Sequence, residues 1–184
     1  MFLLKKKFFK VGLNLITMYK TFREIPQFPH ANYQVNITWD YIEKWMSEQN
    51  VNINPAYQRG YVWTDEQKER YLEYRLRGGM SGKDIYWNSK NWMRGSTDEV
   101  IELVDGKQRL DAVLGFMNNK VKAFGNYKYQ FEDKLPTIIY DFVFYINNLA
   151  SQKEVVEWYL GLNRGGSIHT EEDLKPAYEL LKTF

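Results

Sequence analysis

The fold is decided by the stretch from Glu99 to Asn118, which reads EVIELVDGKQRLDAVLGFMN. Residues Glu99 to Val104 are rich in β-prone side chains and are the best strand candidate in the chain. Asp105-Gly106 then turns the chain, and apolar side chains recur at helical spacing from Lys107 to Asn118. The stretch therefore predicts a strand, a tight turn and an amphipathic helix in direct succession.

The turn Asp105-Gly106-Lys107-Gln108-Arg109 carries residue types that handle phosphate. A glycine turn before a helix leaves backbone N–H groups free at the positive end of the helix dipole, which favours an anion. Lys107 and Arg109 add positive charge. Gln108 can position a water or a phosphate oxygen, and Asp105 can orient water or hold Mg²⁺. A helix start with solvated charges explains the same spacing, so both interpretations stay open.

A second candidate segment, Pro55 to Trp63, reads PAYQRGYVW. Arg59 lies among three aromatic residues in this segment. We predict that Arg59 is a second phosphate clamp and that Tyr57 or Trp63 stacks on a base. A loop held in place by aromatic packing fits the same residues.

A third segment, Leu162 to Gly166, reads LNRGG and follows a predicted helix over Gln152 to Leu162. Two glycines after a helix are typical of a C-terminal cap and a tight turn. The functional interpretation places Asn163 and Arg164 at the cleft of the other two segments, where the glycine backbone lets a ligand approach closely.

Helix signals recur elsewhere in the chain. A helix is predicted over Thr38 to Gln49, where apolar residues fall on one face. Thr64 opens another helix, with Gln67 as its capping-box partner. Thr170 is expected to cap a last helix, which Pro176 is expected to kink or split.

Strand signals lie between these helices. The β-like segments are Val51–Asn54, Asp84–Trp87, Val121–Phe124, Tyr127–Phe131 and Thr137–Ile146. Short strands interspersed with helices predict an α+β fold, with a small mixed sheet and surrounding helices. We expect one domain over residues 35–184, preceded by a leader or edge segment over residues 1–34.

The composition excludes several kinds of binding site and classes of protein. A chain of 184 residues with 44% hydrophobic residues can form one domain with a proper core. The absence of cysteine excludes disulfides and thiolate zinc sites, and two histidines argue against a histidine-rich metal site. A net charge of +2 is too small for a dedicated DNA coat protein. Lysines at positions 5–7 interrupt the N-terminal apolar run, so we expect a cytoplasmic protein without a membrane span, and Met18 is an alternative start.

Together the three segments resemble the N-terminal domain of GmrSD-type proteins, within the ParB/sulfiredoxin-like superfamily. The family pattern is P-x-Y-Q-R-x-Y-x-W, then V-D-G-Q-Q-R-L, then L-N-x-G-G. This chain has PAYQRGYVW at 55–63, VDGKQRL at 104–110 and LNRGG at 162–166, in the same order. The likeness covers residues 35–181. Lys107 stands where the family has the first glutamine of its loop.

The resemblance implies a ParB-like fold that binds and hydrolyses a nucleoside triphosphate, with Mg²⁺ as a candidate ion. Carried over, Asp105, Gln108 and Arg109 would form the hydrolysis motif, and Gln58 and Arg59 would face the same pocket. Relatives in restriction and phage-defence systems often continue into an HNH-type nuclease domain. These 184 residues contain no histidine-rich nuclease motif, so we expect a sensor or switch that does not itself cut DNA by that route.

Three other functions remain open at this point. One is a module that binds nucleotide or nucleic acid without turnover. Another is a protein-interaction domain, for example a phage-borne modulator of a defence nuclease. The third is phosphotransferase chemistry, which rests on fold analogy alone, since the chain has no P-loop pattern. The expected partners are a nucleotide, DNA, and a separate nuclease or defence protein.

Overall fold

A mixed five-stranded sheet organises the computed structural model. The structure describes residues 8–11, 14–17, 19–21, 25, 33–90, 92, 99–164 and 171–184. Two short strands, β1 (Phe8–Val11) and β2 (Asn14–Thr17), pair antiparallel with each other near the N-terminus. In these ranges no helix combines the length and the apolar character needed to cross a membrane.

The main sheet has the strand order β3-β7-β5-β6-β4. Its strands are β3 (Tyr33–Thr38), β4 (Val51–Asn52), β5 (Asp84–Asn88), β6 (Ile101–Asp105) and β7 (Asp141–Asn147). The pairs β3–β7 and β5–β6 are antiparallel, whereas β5–β7 and β4–β6 are parallel. The mixed sheet and its surrounding helices confirm the predicted α+β class.

Five α-helices lie in the described ranges. They are α1 (Ile42–Glu48), α2 (Asp65–Leu76), α3 (Lys107–Met117), α4 (Gln152–Arg164) and α5 (Glu171–Leu181). Two short 3₁₀ turns, Lys128–Gln130 and Thr137–Ile139, lie between α3 and β7. The predicted capping box at the start of α2 is present, with Thr64 and Gln67 bonded to each other's backbone.

Helices cover both faces of the sheet because successive strand residues point to opposite sides. On one side, α1, α2 and α3 pack on strand residues such as Leu103 and Phe144. On the other side, α4 and α5 pack on Val104, with Tyr86 at the edge of the cluster. The two cores hold β6 between them, so the turn that follows β6 has a fixed position.

The turn between β6 and α3 depends on Gly106. Its φ of 102° lies in the left-handed region that favours glycine. A Cβ at this position would lie 2.5 Å from Ile85 Cδ1. The predicted strand, turn and helix are therefore confirmed, and the close packing against β5 explains why the turn uses glycine.

The helix predicted from Thr38 begins four residues later, at Ile42. Thr38 belongs instead to β3, where it pairs with Asp141 of β7. Its hydroxyl donates to the Asp40 carboxylate at 2.6 Å. Long-range pairing with β7 therefore overrides the local capping signal.

The strands predicted at Val121–Phe124 and Tyr127–Phe131 are wrong. Positive φ values of 58° at Asn119 and 52° at Phe124 turn the chain back on itself. Only one isolated bridge, between Ala123 and Asn126, remains in this part of the described chain. Thr137–Ile139 is a 3₁₀ turn, so only the later part of the predicted strand forms β7.

Two predicted helix boundaries also change. Helix α4 continues through Arg164, so the chain does not break at Asn163. Pro176 lies within a single helix, α5, and does not split it. The predicted cap Thr170, the glycines Gly165-Gly166 and most of the loop predicted at 88–97 lie outside the described residues.

Candidate functional site

Two glutamines hold the aromatic loop, Pro55–Trp63, against β6 and α3. The Gln58 amide donates to the carbonyl oxygen of Val104 at 2.8 Å. The Gln108 amide nitrogen donates to Gly60 O at 3.0 Å, and its oxygen accepts from the backbone N–H groups of residues 62 and 63 at 3.1 and 3.2 Å. Buried polar groups need such partners, so the two side chains fix the loop beside the turn at residues 105–109.

Lys107 links this turn to the aromatic loop. Its ammonium group donates to Arg59 O at 3.2 Å and lies 4.7 Å from the centre of the Tyr61 ring. Partial burial lowers the pKa of Lys107, and the nearby Asp111 carboxylate opposes that effect. Lys107, which replaces a glutamine of the family pattern, therefore lies where the two predicted segments meet.

Arg59 and Arg109 reach the same place from different elements. The Arg59 guanidinium forms an ion pair with Asp173 of α5 at 3.0 Å. Arg109 Nη2 donates to Asp84 O and to the Asp105 carboxylate, each at 2.9 Å. Carboxylate pairs hold both guanidinium groups in defined positions, with N–H groups left for a further acceptor.

These side chains surround a small cavity, the first cavity, of about 140 Å³. Its lining residues are Gln58, Arg59, Trp63, Asp105, Gly106, Lys107, Gln108, Arg109 and Tyr159. Among the described residues, two buried atoms of this lining lack a hydrogen-bond partner: Gln58 Oε1 and Arg109 Nε. Both atoms lie behind the cavity surface, so the groups that a ligand meets are the three cationic side chains and the helix N-terminus.

Tyr159 of α4 is a lining residue that the sequence did not reveal. Its ring packs on Tyr57 with 5.3 Å between ring centres. Burial raises the pKa of Tyr159 to about 12; Arg59 opposes the shift, while Asp105 and Asp173 add to it. The hydroxyl therefore keeps its proton at neutral pH and can donate to an anion. Tyr159 lies on the apolar face of α4, so the sequence pattern predicts a core residue. Only its hydroxyl group suggests contact with a ligand.

Tyr57 and Asn163, two of the predicted binding residues, do not line the first cavity. Tyr57 is fully buried, and its hydroxyl donates to Leu103 O at 3.4 Å. Asn163 is 5% exposed and donates to Tyr159 O, within its own helix, at 2.7 Å. The side chain of Arg164 lies outside the described residues. Tyr57 and Asn163 are thus buried in the protein behind the cavity wall, where their side chains do not contact a ligand.

Trp63 does line the first cavity, but its ring is also committed to the core. It packs on Tyr71 with 5.4 Å between ring centres. Tyr61, two residues earlier, is 49% exposed and lies under Lys107. Tyr61 is therefore the better-placed ring for stacking on a flat ligand.

The first cavity offers little to a resident metal ion. The described residues contain no cluster of three or more acidic, histidine or cysteine side chains that could hold one. Asp105 is the one carboxylate in the lining, and Arg109 bonds one of its oxygens. Mg²⁺ commonly binds through one or two carboxylates and the phosphates of a nucleotide, so Asp105 could only share an ion that a ligand brings.

A comparison with family models assigns the chain to a family. A family model described as GmrSD restriction endonuclease, N-terminal domain, matches residues 42–183. The chain belongs to this family. The match includes the aromatic loop, the turn at 105–109 and all of α4, and it connects this GmrSD-type domain to restriction-endonuclease systems. Comparisons with curated proteins and with solved structures found no match, so the ParB-like assignment stays a prediction.

Proposed function

We propose that this GmrSD-type domain binds the phosphates of a nucleoside triphosphate in the first cavity and hydrolyses the nucleotide. The observation that carries the proposal is the convergence of Arg59, Lys107 and Arg109 on one cavity beside the N-terminus of α3. Gly106 has no side chain to cap that helix, so its first N–H groups remain for an anion.

The size of the first cavity supports binding of phosphate groups and not of a whole nucleotide. Sites that enclose drug-sized ligands measure about 300–1,000 Å³, whereas this cavity holds about 140 Å³. The base would therefore remain at the mouth, where the exposed Tyr61 ring lies under Lys107. Base–aromatic stacking tolerates every base, which fits a domain with no evident base-specific pocket.

The remaining donors fit the same ligand. The Arg109 side chain is partly exposed, and its guanidinium N–H groups beyond those that bond Asp84 and Asp105 can donate to a phosphate oxygen. The Tyr159 hydroxyl supplies a further neutral donor near Arg59.

Hydrolysis at this site would depend mainly on electrostatic stabilisation. The three cationic side chains stabilise the negative charge that develops as water attacks the γ-phosphorus and the bond to the leaving phosphate oxygen breaks. The Asp105 oxygen that does not bond Arg109 is the candidate acceptor for the water's proton. Gln108 would act as a positioning residue, because its amide already holds the aromatic loop.

Phosphate release with each nucleotide and Mg²⁺ tests the proposal. We expect turnover by the unaltered chain and a loss of about 10²-fold or more in Asp105→Asn, which keeps the shape but removes the proton acceptor. Glu157→Gln, an exposed change on α4, is the matched control and should turn over normally. Equal rates for the unaltered chain and Asp105→Asn would refute hydrolysis at this site.

Binding without turnover is the second candidate, and one observation favours it. Gln108, which the family motif places in hydrolysis, has both ends of its amide occupied by the aromatic loop. Under this alternative, nucleotide raises the melting temperature and Asp105→Asn leaves that shift intact, with no phosphate released. In either case we propose that nucleotide sets the state of a partner, either DNA or a separate nuclease of the same restriction system.

A further inference from the structure

A second cavity of about 600 Å³ lies at the opposite end of α3 from the turn at 105–109. It shares no lining residue with the first cavity. Its lining residues are Asp40, Leu76, Phe116, Met117, Phe124, Lys128, Tyr129, Phe131, Asp133, Lys134, Leu135, Pro136 and Tyr140. Its volume lies in the range of about 300–1,000 Å³ that small-molecule sites occupy.

The floor of the second cavity is aromatic. Phe116 at the end of α3 meets Phe131 edge to face, with 6.3 Å between ring centres. The Tyr140 hydroxyl donates to Leu76 O at 3.0 Å, so Tyr140 lines the cavity with its ring. Aromatic faces and edges of this kind favour a flat ring packed against them.

A strained residue presents another ring at the mouth. Phe124 has a φ of 52°, which is rare for a bulky side chain, yet its ring remains 41% exposed. The backbone N–H of Phe124 donates to Glu73 at 2.9 Å, and the Arg77 guanidinium lies 5.1 Å from the ring centre. Reciprocal hydrogen bonds between Ala123 and Asn126 close a two-residue turn over Phe124 and Gly125, which requires the positive φ and holds the ring at the mouth of the cavity.

The charges at the mouth favour an anion. The segment 118–134 contains four lysines against one glutamate and one aspartate. Lys128 and Lys134 line the second cavity and form no ion pair with any residue that the structure describes. Asp40 and Asp133 also line the cavity and offset part of this charge, while the Arg77 guanidinium beside the Phe124 ring adds to the positive side.

We propose that the second cavity binds a small molecule that has a flat aromatic ring and an anionic group. The ring lies in the cavity between Phe124 at the mouth and Phe131 on the floor, and the anionic group remains at the mouth beside Lys128 and Lys134. Aromatic carboxylates and mononucleotides share this chemistry. The proposal is independent of what binds in the first cavity.

Calorimetric titration of the full chain with naphthalene-2-carboxylate tests the charge requirement. The neutral analogue naphthalene-2-carboxamide has nearly the same shape. We expect the carboxylate to bind about threefold to tenfold more tightly, as two partly exposed lysines allow. The double variant Lys128→Met/Lys134→Met should remove that preference, whereas Lys153→Met, on the exposed side of α4, should keep it. Equal affinity of the two compounds for the unaltered chain would overturn the proposal.

Phe124→Gly tests the ring requirement without a folding defect. Glycine adopts a positive φ freely, so this variant loses the ring and the strain together. We expect the melting temperature to hold or rise while the affinity for naphthalene-2-carboxylate falls by about tenfold. Unchanged affinity in Phe124→Gly would also overturn the proposal.

A titration with adenosine monophosphate separates the two sources of this chemistry. Binding that Lys128→Met/Lys134→Met weakens identifies mononucleotides as ligands of the second cavity. If the double variant binds adenosine monophosphate as tightly as the unaltered chain does, the nucleotide binds at another site. Aromatic carboxylates then remain the ligand class of the second cavity, provided that the naphthalene pair shows the expected preference.

Discussion

At the residue scale, Arg109 joins three parts of the candidate site through one guanidinium. Its Nη2 bonds both Asp84 O and the Asp105 carboxylate, while its Nε is buried without a partner among the described residues. A lysine at this position would supply the charge but not the planar group that reaches two acceptors and still presents a free N–H.

Arg109→Lys should therefore lower the affinity for a non-hydrolysable nucleotide by about tenfold, the equivalent of one charge-assisted hydrogen bond. Calorimetric titration measures the change. Arg70→Lys, on the exposed face of α2, is the matched control and should bind as the unaltered chain does. Unchanged affinity in Arg109→Lys would show that the Arg109 guanidinium does not bond phosphate.

Gly106 gives a second prediction at this scale. Alanine there would place a Cβ against Ile85 at a φ of 102°, so we expect Gly106→Ala to lower the free energy of unfolding by about 1–3 kcal/mol or more. Gly60→Ala is the control, because no atom lies within 4 Å of its added Cβ. Urea unfolding compares the two, and an equal effect of both substitutions would contradict the strained turn.

At the element scale, the aromatic loop has no regular structure of its own and takes its shape from β6 and α3. Gln108 supplies three of the bonds that define it, to Gly60 O and to the N–H groups of Val62 and Trp63. Because one side chain supplies all three of these bonds, one substitution can loosen this part of the loop.

Gln108→Ala should raise the amide exchange rates of Val62 and Trp63 and weaken nucleotide binding, since Arg59 lies in the released loop. Hydrogen exchange with and without nucleotide measures both effects. Gln152→Ala, which removes an exposed amide that bonds Glu102 away from the loop, should leave both unchanged. Protected amides together with lost turnover in Gln108→Ala would instead assign Gln108 a direct catalytic role.

Elements with local signals could be predicted from the sequence, and elements fixed by distant partners could not. The start of α2 and the strand, turn and helix around Gly106 follow from caps and periodicity within about twenty residues. Strand β3 forms because it pairs with β7, which lies about a hundred residues later. The segment between α3 and β7 has β-prone residues, but positive φ values at Asn119 and Phe124 prevent an extended chain.

The candidate site shows the same division. The order of the motifs predicted that Arg59 and Arg109 share a cavity, and they do. Sequence alone could not show that Tyr57 and Asn163 point into the core, because both have polar ends that suit a ligand equally well. Tyr159 and Asp173 reach the site only through the packing of α4 and α5 on the sheet, which no local pattern encodes.

At the scale of the whole molecule, tyrosines with raised pKa values make the free energy of unfolding depend on pH in the alkaline range. Burial raises the pKa of Tyr71, Tyr86 and Tyr159 to about 12, above the usual value of 10.0. Below about pH 10 both the folded and unfolded states keep these protons. Between the two pKa values the unfolded chain loses them first, so stability is lost as the pH rises through this window.

Urea unfolding at a series of pH values should therefore show a midpoint that is steady near neutral pH and falls between about pH 10 and 12. Tyr159→Phe should reduce the slope of that fall, because phenylalanine has no proton to release. Tyr19→Phe, at an exposed N-terminal position, is the control. A slope that Tyr159→Phe leaves unchanged would show that Tyr159 ionises equally in both states.

Helix α3 begins at the turn that holds Lys107 and Arg109 and ends at Met117, in the wall of the second cavity. Its 11 residues form a rod about 16 Å long. If both cavities bind the ligands proposed above, an axial shift of this rod on filling one cavity displaces a wall of the other. Reciprocity then requires that the factor by which the aromatic anion changes the affinity for nucleotide equals the factor by which nucleotide changes the affinity for that anion.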